Sequence, residues 1–223
     1  MTMDRFAPFV QQATRLLALC APSTDDGAHD LSHLQRVWAN VLLLQREEGG
    51  DLELLLAAVL LHDCVAVEKD SPLRANASRL SAERAAGVLT SLGWRDERIA
   101  AACHAIEAHS FSAAIAPTSL EARILQDADR LDAIGLIGVV RCFHVSGRMG
   151  SALYDADDID ALHRPLDDQR FALDHFRTKL LGLASGFQTA AGARLAEQRH
   201  ARMVTFLDAF REEIQPPLTL IEE

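Results

Sequence analysis

Leu52-Glu53-Leu54-Leu55-Leu56-Ala57-Ala58-Val59-Leu60-Leu61-His62-Asp63 is an apolar run, broken only by Glu53, that ends abruptly in an adjacent imidazole and carboxylate. A segment apolar around its whole circumference reads as a helix buried on nearly all sides. Its last turn then carries His62 and Asp63 into or beside the core. An ionised carboxylate there is costly unless it is paired or bound to a metal, so the doublet needs a partner.

The chain around this run has 223 residues, 49% of them hydrophobic, which is ample for one core. Aromatics are only 5%. Ala and Leu recur with helical spacing and no period-2 stretch is long enough for a strand, so the expected class is all-α. A single domain is expected over the whole chain, with a core at about 25–150 and additional C-terminal helices at about 165–215 packed on it. The longest apolar runs are too short to cross a bilayer, and the N-terminus lacks a basic segment followed by an apolar one. A soluble, cytoplasmic protein without a membrane partner is expected. Cys20, Cys64, Cys103 and Cys142 are far apart and form no CxxC pair, which fits reduced thiols. A formal charge of −10 disfavours a nucleic-acid polymer as partner, because that affinity comes from Lys and Arg neutralising phosphates. A small anionic substrate stays compatible if positive charge is concentrated locally.

Upstream of the run, Asp4 to Cys20 reads as a first helix, with Phe6, Phe9, Val10, Leu16 and Leu17 at apolar positions, broken by Pro22 to Gly27. The next helix is expected from about Asp30 to Glu48, stopped by Gly49-Gly50. On it His33, Val37, Val41 and Leu44 share one stripe, so His33 points where apolar residues point. Taken alone, such a histidine also suits a core position satisfied by a backbone carbonyl. His29, one turn earlier, is expected to be exposed.

Downstream, Glu68-Lys69-Asp70-Ser71-Pro72-Leu73-Arg74 reads as a polar loop that Pro72 keeps out of helix. Lys69, Arg74 and Arg79 bring positive charge beside the doublet, as a phosphate site requires and as a solvated loop also does. A helix is expected to start at Ser81-Ala82-Glu83-Arg84 and end near Gly93, and another to run from about Asp96 to His109. In Leu120 to Val145, Ile124, Ala128, Leu131 and Gly135 make an apolar stripe. Beside it, Leu125, Asp129, Asp132 and Leu136 place two carboxylates on one face. Two inward carboxylates repel unless a cation or a proton relieves them; salt bridges to Arg123 or Arg130 are the alternative. Asp127 is expected to face solvent. Past a loop at Asp155 to Asp160, helices are expected over Asp167 to Leu183 and Thr189 to Ile214, the second ended by Pro216-Pro217.

The inward polar groups are therefore His33, His62-Asp63, and Asp129 with Asp132. Imidazoles and carboxylates together suit a divalent Mn, Mg, Fe, Co or Ni, and four protein ligands on an octahedral ion leave room for water and a substrate oxygen.

This ordered set resembles the HD-domain superfamily of metal-dependent phosphohydrolases, whose pattern is H…HD…D on an all-helical bundle. The residues that carry the resemblance are His33 in His33-Leu34-Gln35-Arg36-Val37, the doublet in Leu61-His62-Asp63, and Asp129 in Asp127-Ala128-Asp129-Arg130-Leu131-Asp132-Ala133. It extends to Glu107-Ala108-His109-Ser110-Phe111 and to Ile134-Gly135-Leu136-Ile137-Gly138, covers most of the first 155 residues, and is most similar to small bacterial stand-alone HD hydrolases. It implies His33, His62, Asp63 and Asp129 as metal ligands and a small phosphorylated metabolite, a nucleotide, as substrate. Water activated by the metal would be the nucleophile. Asp63 would act in catalysis as a ligand, and Asp132 would orient the water, accept its proton, or hold a ligating histidine. Lys69 and His109 would contact substrate phosphate, with Arg36 and Arg141 as further candidates.

Val65-Ala66-Val67 stands where HD enzymes that cleave the alarmone pyrophosphate carry an acidic pair, which argues against that activity. His104 and His109 lie about 140° apart on a helix, which argues for one metal rather than two. The competing reading is a non-catalytic HD module that binds a nucleotide or a protein partner. A third is a bundle whose buried polar groups pair only among themselves.

Overall fold

A computed structural model describes residues 3–20, 31–65, 67, 76–110 and 113–215. The expected Pro22 to Gly27 break, His29, Lys69 with its loop, and Pro216-Pro217 lie outside the described residues. Those residues carry nine α-helices and no strand, so the chain is all-α. They divide into two compact units, the described residues up to 132 with 188–192, and 133–187 with 193–215.

The first unit holds a 3-10 turn at Met3–Phe6 and helices α1 (Val10–Cys20), α2 (Leu31–Glu48), α3 (Leu52–Leu61), α4 (Ala77–Ser91), α5 (Asp96–His109) and α6 (Leu120–Asp132). Pro8 separates the turn from α1, so the first expected helix is two pieces. On α3 every residue from Leu54 to Leu61 is buried, as a run without a polar face must be. Asp51 caps it, accepting from the amides of Glu53 and Leu54 at 3.0 Å. The chain reaches that cap through Gly49 (φ +83°) and Gly50 (φ +101°), left-handed positions that end α2. The α2 stripe is buried throughout, from His33 to Leu44.

The fourth helix starts at Ala77, ahead of the expected Ser81. Ser81 is no cap: it is buried inside α4, where its hydroxyl accepts from the Val65 amide at 3.3 Å. On α6, Ile124, Ala128 and Leu131 are fully buried, as the stripe requires. The helix stops at Asp132, however, so Gly135 and Leu136 do not continue its faces, and Leu136 is 56% exposed.

Asp127 also corrects its expectation. Its direction, opposite Asp129, follows from the helical period, but that side of α6 is covered rather than wet. Asp127 is fully buried and accepts from the amides of Gln188 and Thr189, both at 2.8 Å, and from the Thr189 hydroxyl at 2.7 Å. Burial pushes its carboxyl above the usual range, and the bonds from Gln188 and Thr189 oppose that rise.

The second unit contains α7 (Gly135–Met149), α8 (Asp174–Thr178), a 3-10 turn at Leu180–Ala184 and most of α9 (Ala190–Ile214). Gly138 belongs at the start of α7 because a β-carbon there would lie 2.4 Å from the Ala133 carbonyl oxygen. Phe143, Phe176, Phe206 and Phe210 cluster with ring centroids 5.5–6.1 Å apart. The helix expected over Asp167 to Leu183 shrinks to α8. Residues 170–173 make other backbone bonds: Ala152 donates to Arg170, and Ala172 donates back to Ala152, each at 2.9 Å. Asp174 is held by an Arg164 fork at 2.6 and 3.0 Å and by the Asp167 amide at 2.7 Å.

Among the described residues no helix is long and apolar enough to cross a membrane. All four cysteines are free.

Candidate metal centre

Four helix ends of the first unit supply the site. His33 comes from the first turn of α2, His62 caps the C-terminus of α3 with Asp63 directly after it, His109 ends α5, and Asp129 and Asp132 lie in the last turn of α6. Three of these are helix C-termini, whose unsatisfied carbonyls favour a positive charge nearby.

The three imidazoles are held in one way. His33 Nδ1 lies 2.8 Å from Asp132 Oδ2, His62 Nδ1 2.7 Å from the Val59 carbonyl, and His109 Nδ1 2.6 Å from the Ile106 carbonyl. A carbonyl or an ionised carboxylate can only accept, so each Nδ1 carries the proton. In the neutral ring each Nε2 is then a bare lone pair. These lone pairs face one another and the carboxylates. His33 Nε2 is 3.4 Å from His62 Nε2 and 3.5 Å from Asp129 Oδ1. His62 Nε2 is 3.6 Å from Asp63 Oδ2 and 3.9 Å from Asp129 Oδ1, and His109 Nε2 is 3.6 Å from Asp63 Oδ1.

Acceptors gathered at these distances repel one another. One proton between His33 and His62 relieves a single pair, whereas a cation among the atoms relieves all of them. Burial, followed by the neighbouring His62, holds His109 below the usual imidazole range and favours the lone-pair form, against Asp63 and Asp129. Donor atoms of His33, His62 and Asp129, and likewise of His62, Asp63 and His109, lie within 4.8 Å of one another. The residues fit a divalent ion with mixed nitrogen and oxygen ligands. Exposure is graded across the cluster: the His33, His62 and His109 side chains are at most 7% exposed, while Asp63 is 36% and Asp129 31% exposed. Imidazoles form the inner wall and carboxylates the side that solvent reaches.

Asp132 is nearly fully buried. Its Oδ2 takes the His33 contact, and Arg36 grips it with Nε to Oδ1 at 2.6 Å and Nη2 to Oδ2 at 3.0 Å. Burial alone would raise the Asp132 carboxyl, but His33 and Arg36 hold it below the usual range. The residue that pairs with it thus comes from α2, and Arg123 of α6 instead donates to the carbonyls of Pro117 and Thr118.

His33, His62, Asp63, Asp129, Asp132, Arg36 and His109 are brought together. Arg141 lies on α7 in the second unit, and His104 turns to Thr118, whose amide donates to its Nε2 at 3.1 Å. The placement of His109 against Asp63, within the donor cluster, was not read from sequence. A signal existed: Val59-Leu60-Leu61-His62 and Ile106-Glu107-Ala108-His109 both end a helix in a histidine three residues after the carbonyl that fixes its ring.

Residues 30–134 match the family model described as HD domain, a span that contains every member of this cluster. The chain is 32% identical over 204 residues to the uncharacterized protein YpgQ of Bacillus subtilis (strain 168), covering 86% of this chain and 87% of that protein. Among solved structures, an HD-superfamily hydrolase from Bacillus thuringiensis superposes with a TM-score of 0.73 at 28% identity, covering 96% of this chain and 100% of that one. Bacillus subtilis YpgQ in complex with ADP superposes with a TM-score of 0.70 at 30% identity, covering 97% and 98%.

Proposed function

This chain belongs to the HD-domain superfamily, and we propose that it hydrolyses a phosphoester or phosphoanhydride bond of a small phosphorylated metabolite, a nucleotide, with one divalent metal ion. The observation that carries this is the set of three imidazoles whose Nδ1 protons are committed elsewhere, leaving three Nε2 lone pairs that join two carboxylates in two overlapping donor groups sharing His62. The ADP bound to the B. subtilis relative supports a nucleotide as the substrate class.

His33, His62, Asp63 and Asp129 would hold the ion, and His109 stands beside Asp63 as a further donor. When bound, such an ion supplies a Lewis acid for a phosphoryl oxygen and a water acidified enough to attack phosphorus at neutral pH. The residues themselves do the rest. Asp63 and Asp129, on the exposed side, present carboxylate oxygens where water and substrate enter and can accept the proton that the water gives up. His62 and His33 are buried, with each Nδ1 held by a partner, which would present their Nε2 atoms to the ion with little reorganisation. The low exposure of Asp132 and its grip by Arg36 and His33 favour the holding role over that of a base in contact with water. Lys69 stays as a candidate phosphate contact by resemblance.

The test is a screen of phosphorylated metabolites, nucleotides included, with Mn, Mg, Co and Ni, using Asp63→Ala as the blank. Turnover that needs metal and vanishes in the blank supports the proposal. Bound metal without turnover of any substrate would favour a binding module.

A further inference from the structure

We propose that Arg36 is a positioning residue for the metal site, acting through Asp132 on His33, rather than a contact for substrate phosphate. The inference rests on the metal-site reading above. Two helices cross with their functional residues in matching steps. On α2 His33 and Arg36 are separated by three positions, and on α6 so are Asp129 and Asp132. Residues at that separation share a helix face. The inner pair, His33 and Asp129, meets at 3.5 Å within the donor cluster, and the outer pair, Arg36 and Asp132, meets at 2.6 and 3.0 Å through both carboxylate oxygens. Asn40, one turn farther along α2, ties the same helices by donating to the Ala128 carbonyl at 2.9 Å.

Arg36 is oriented for this task. Nε and Nη2 form the fork on Asp132, and Nη1 donates to Ser32 Oγ at 2.8 Å on the preceding turn. A bidentate guanidinium fixes the plane of a carboxylate, which a single charge does not. The plane matters because Asp132 Oδ2 also receives the His33 Nδ1 proton. A carboxylate held in that plane keeps its oxygen in line with His33 Nδ1, and so keeps the Nε2 lone pair turned to the donor cluster. Without the fork the Asp132 carboxylate loses the bidentate partner that fixes its plane and can rotate away from His33 Nδ1. His33 then loses its fixed tautomer and ring direction.

The test measures metal affinity apart from turnover. Purified, metal-stripped wild type, Arg36→Ala, Arg36→Lys and Asp132→Asn are titrated with Mn by calorimetry, with electron paramagnetic resonance reporting free Mn. KM and kcat for the best substrate of the screen are then taken at saturating Mn. Arg36→Ala is expected to weaken Mn binding by about 10–100-fold, the range for lost outer partners of metal ligands. Arg36→Lys keeps the charge without the fork and is expected to recover only part of that loss, and it decides the matter if Arg36→Ala does not fold. KM at saturating Mn is expected to stay near wild type. Unchanged Mn affinity with a raised KM in Arg36→Ala or Arg36→Lys would overturn the proposal and assign Arg36 to the phosphate. Wild type that binds Mn but turns over nothing sinks the hydrolase reading alone, because the Mn affinities still decide the role of Arg36. Wild type that binds no Mn sinks both.

Discussion

Replacing Asp127 with Ala separates two carboxylates that stand two residues apart on one helix and do opposite jobs. Asp127 is fully buried and accepts three bonds at 2.7–2.8 Å from Gln188 and Thr189. Asp129 is 31% exposed and lies 3.5 and 3.9 Å from two imidazole nitrogens. In Asp127→Ala the Gln188 and Thr189 donors lose a charged acceptor, and a bond of that kind contributes about 1.5–3 kcal/mol. The three do not add, because burial of the carboxylate offsets part of the gain, so a net loss of about 3–5 kcal/mol is expected. For a chain of this length that lowers the thermal midpoint by about 10 °C. Gly192→Ala attacks the same contact from the other side, since its new β-carbon would sit 2.4 Å from Asp127 Oδ2, and is expected to lower the midpoint as well. Asp129→Asn is expected to leave the midpoint of the metal-free protein within about 1 kcal/mol of wild type, or to raise it, because it removes a charge from crowded acceptors. Differential scanning calorimetry of the metal-free proteins, paired with Mn titration well below each midpoint, reads both effects. Asp127→Ala melting with wild type, or losing Mn affinity while still folded, would refute the division of labour drawn here.

His62→Ala is expected to abolish Mn binding and turnover together, because it removes the donor shared by both residue groups; metal-dependent turnover that persists would count against the site. Mn at about 100 times its dissociation constant should stabilise the wild type by about 2.7 kcal/mol, a midpoint rise of about 5–10 °C, and Asp63→Ala should show a clearly smaller rise in calorimetry. Asp174 is buried, which alone would raise its carboxyl, yet the Arg164 fork and the Asp167 amide hold it below the usual range. A depressed carboxyl contributes stability that is present above its unfolded value and lost as pH falls through the folded one. Urea denaturation from neutral pH down through the carboxylate range should therefore show a steeper acid loss in wild type than in Asp174→Asn. Cys64 and Cys142 are buried, with thiols pushed up to about 12 and about 11, chiefly by burial. Both should resist iodoacetamide at neutral pH in the folded protein and react in urea, as followed by mass spectrometry.

The sequence by itself determined the all-α class and the ordered H…HD…D set. It also fixed the outline of α2, α3 and α5, because their apolar spacing, glycine stops and continuous burial are written residue by residue along the chain. It also set the direction of each side chain around its helix, and Asp127 does point away from Asp129. Only the tertiary structure decided what lies in that direction. Thr189 meets Asp127, Arg36 of α2 rather than a neighbour on α6 grips Asp132, and His109 turns its Nε2 to Asp63. Residues 170–173 gave up the helix their local pattern suggests for bonds to Ala152 and Leu153. The physical reason is common to all of these. A helical period reports which way a group faces, but the partner it meets is chosen by helices packed together from distant parts of the chain, and the energy of a buried charge depends on that partner.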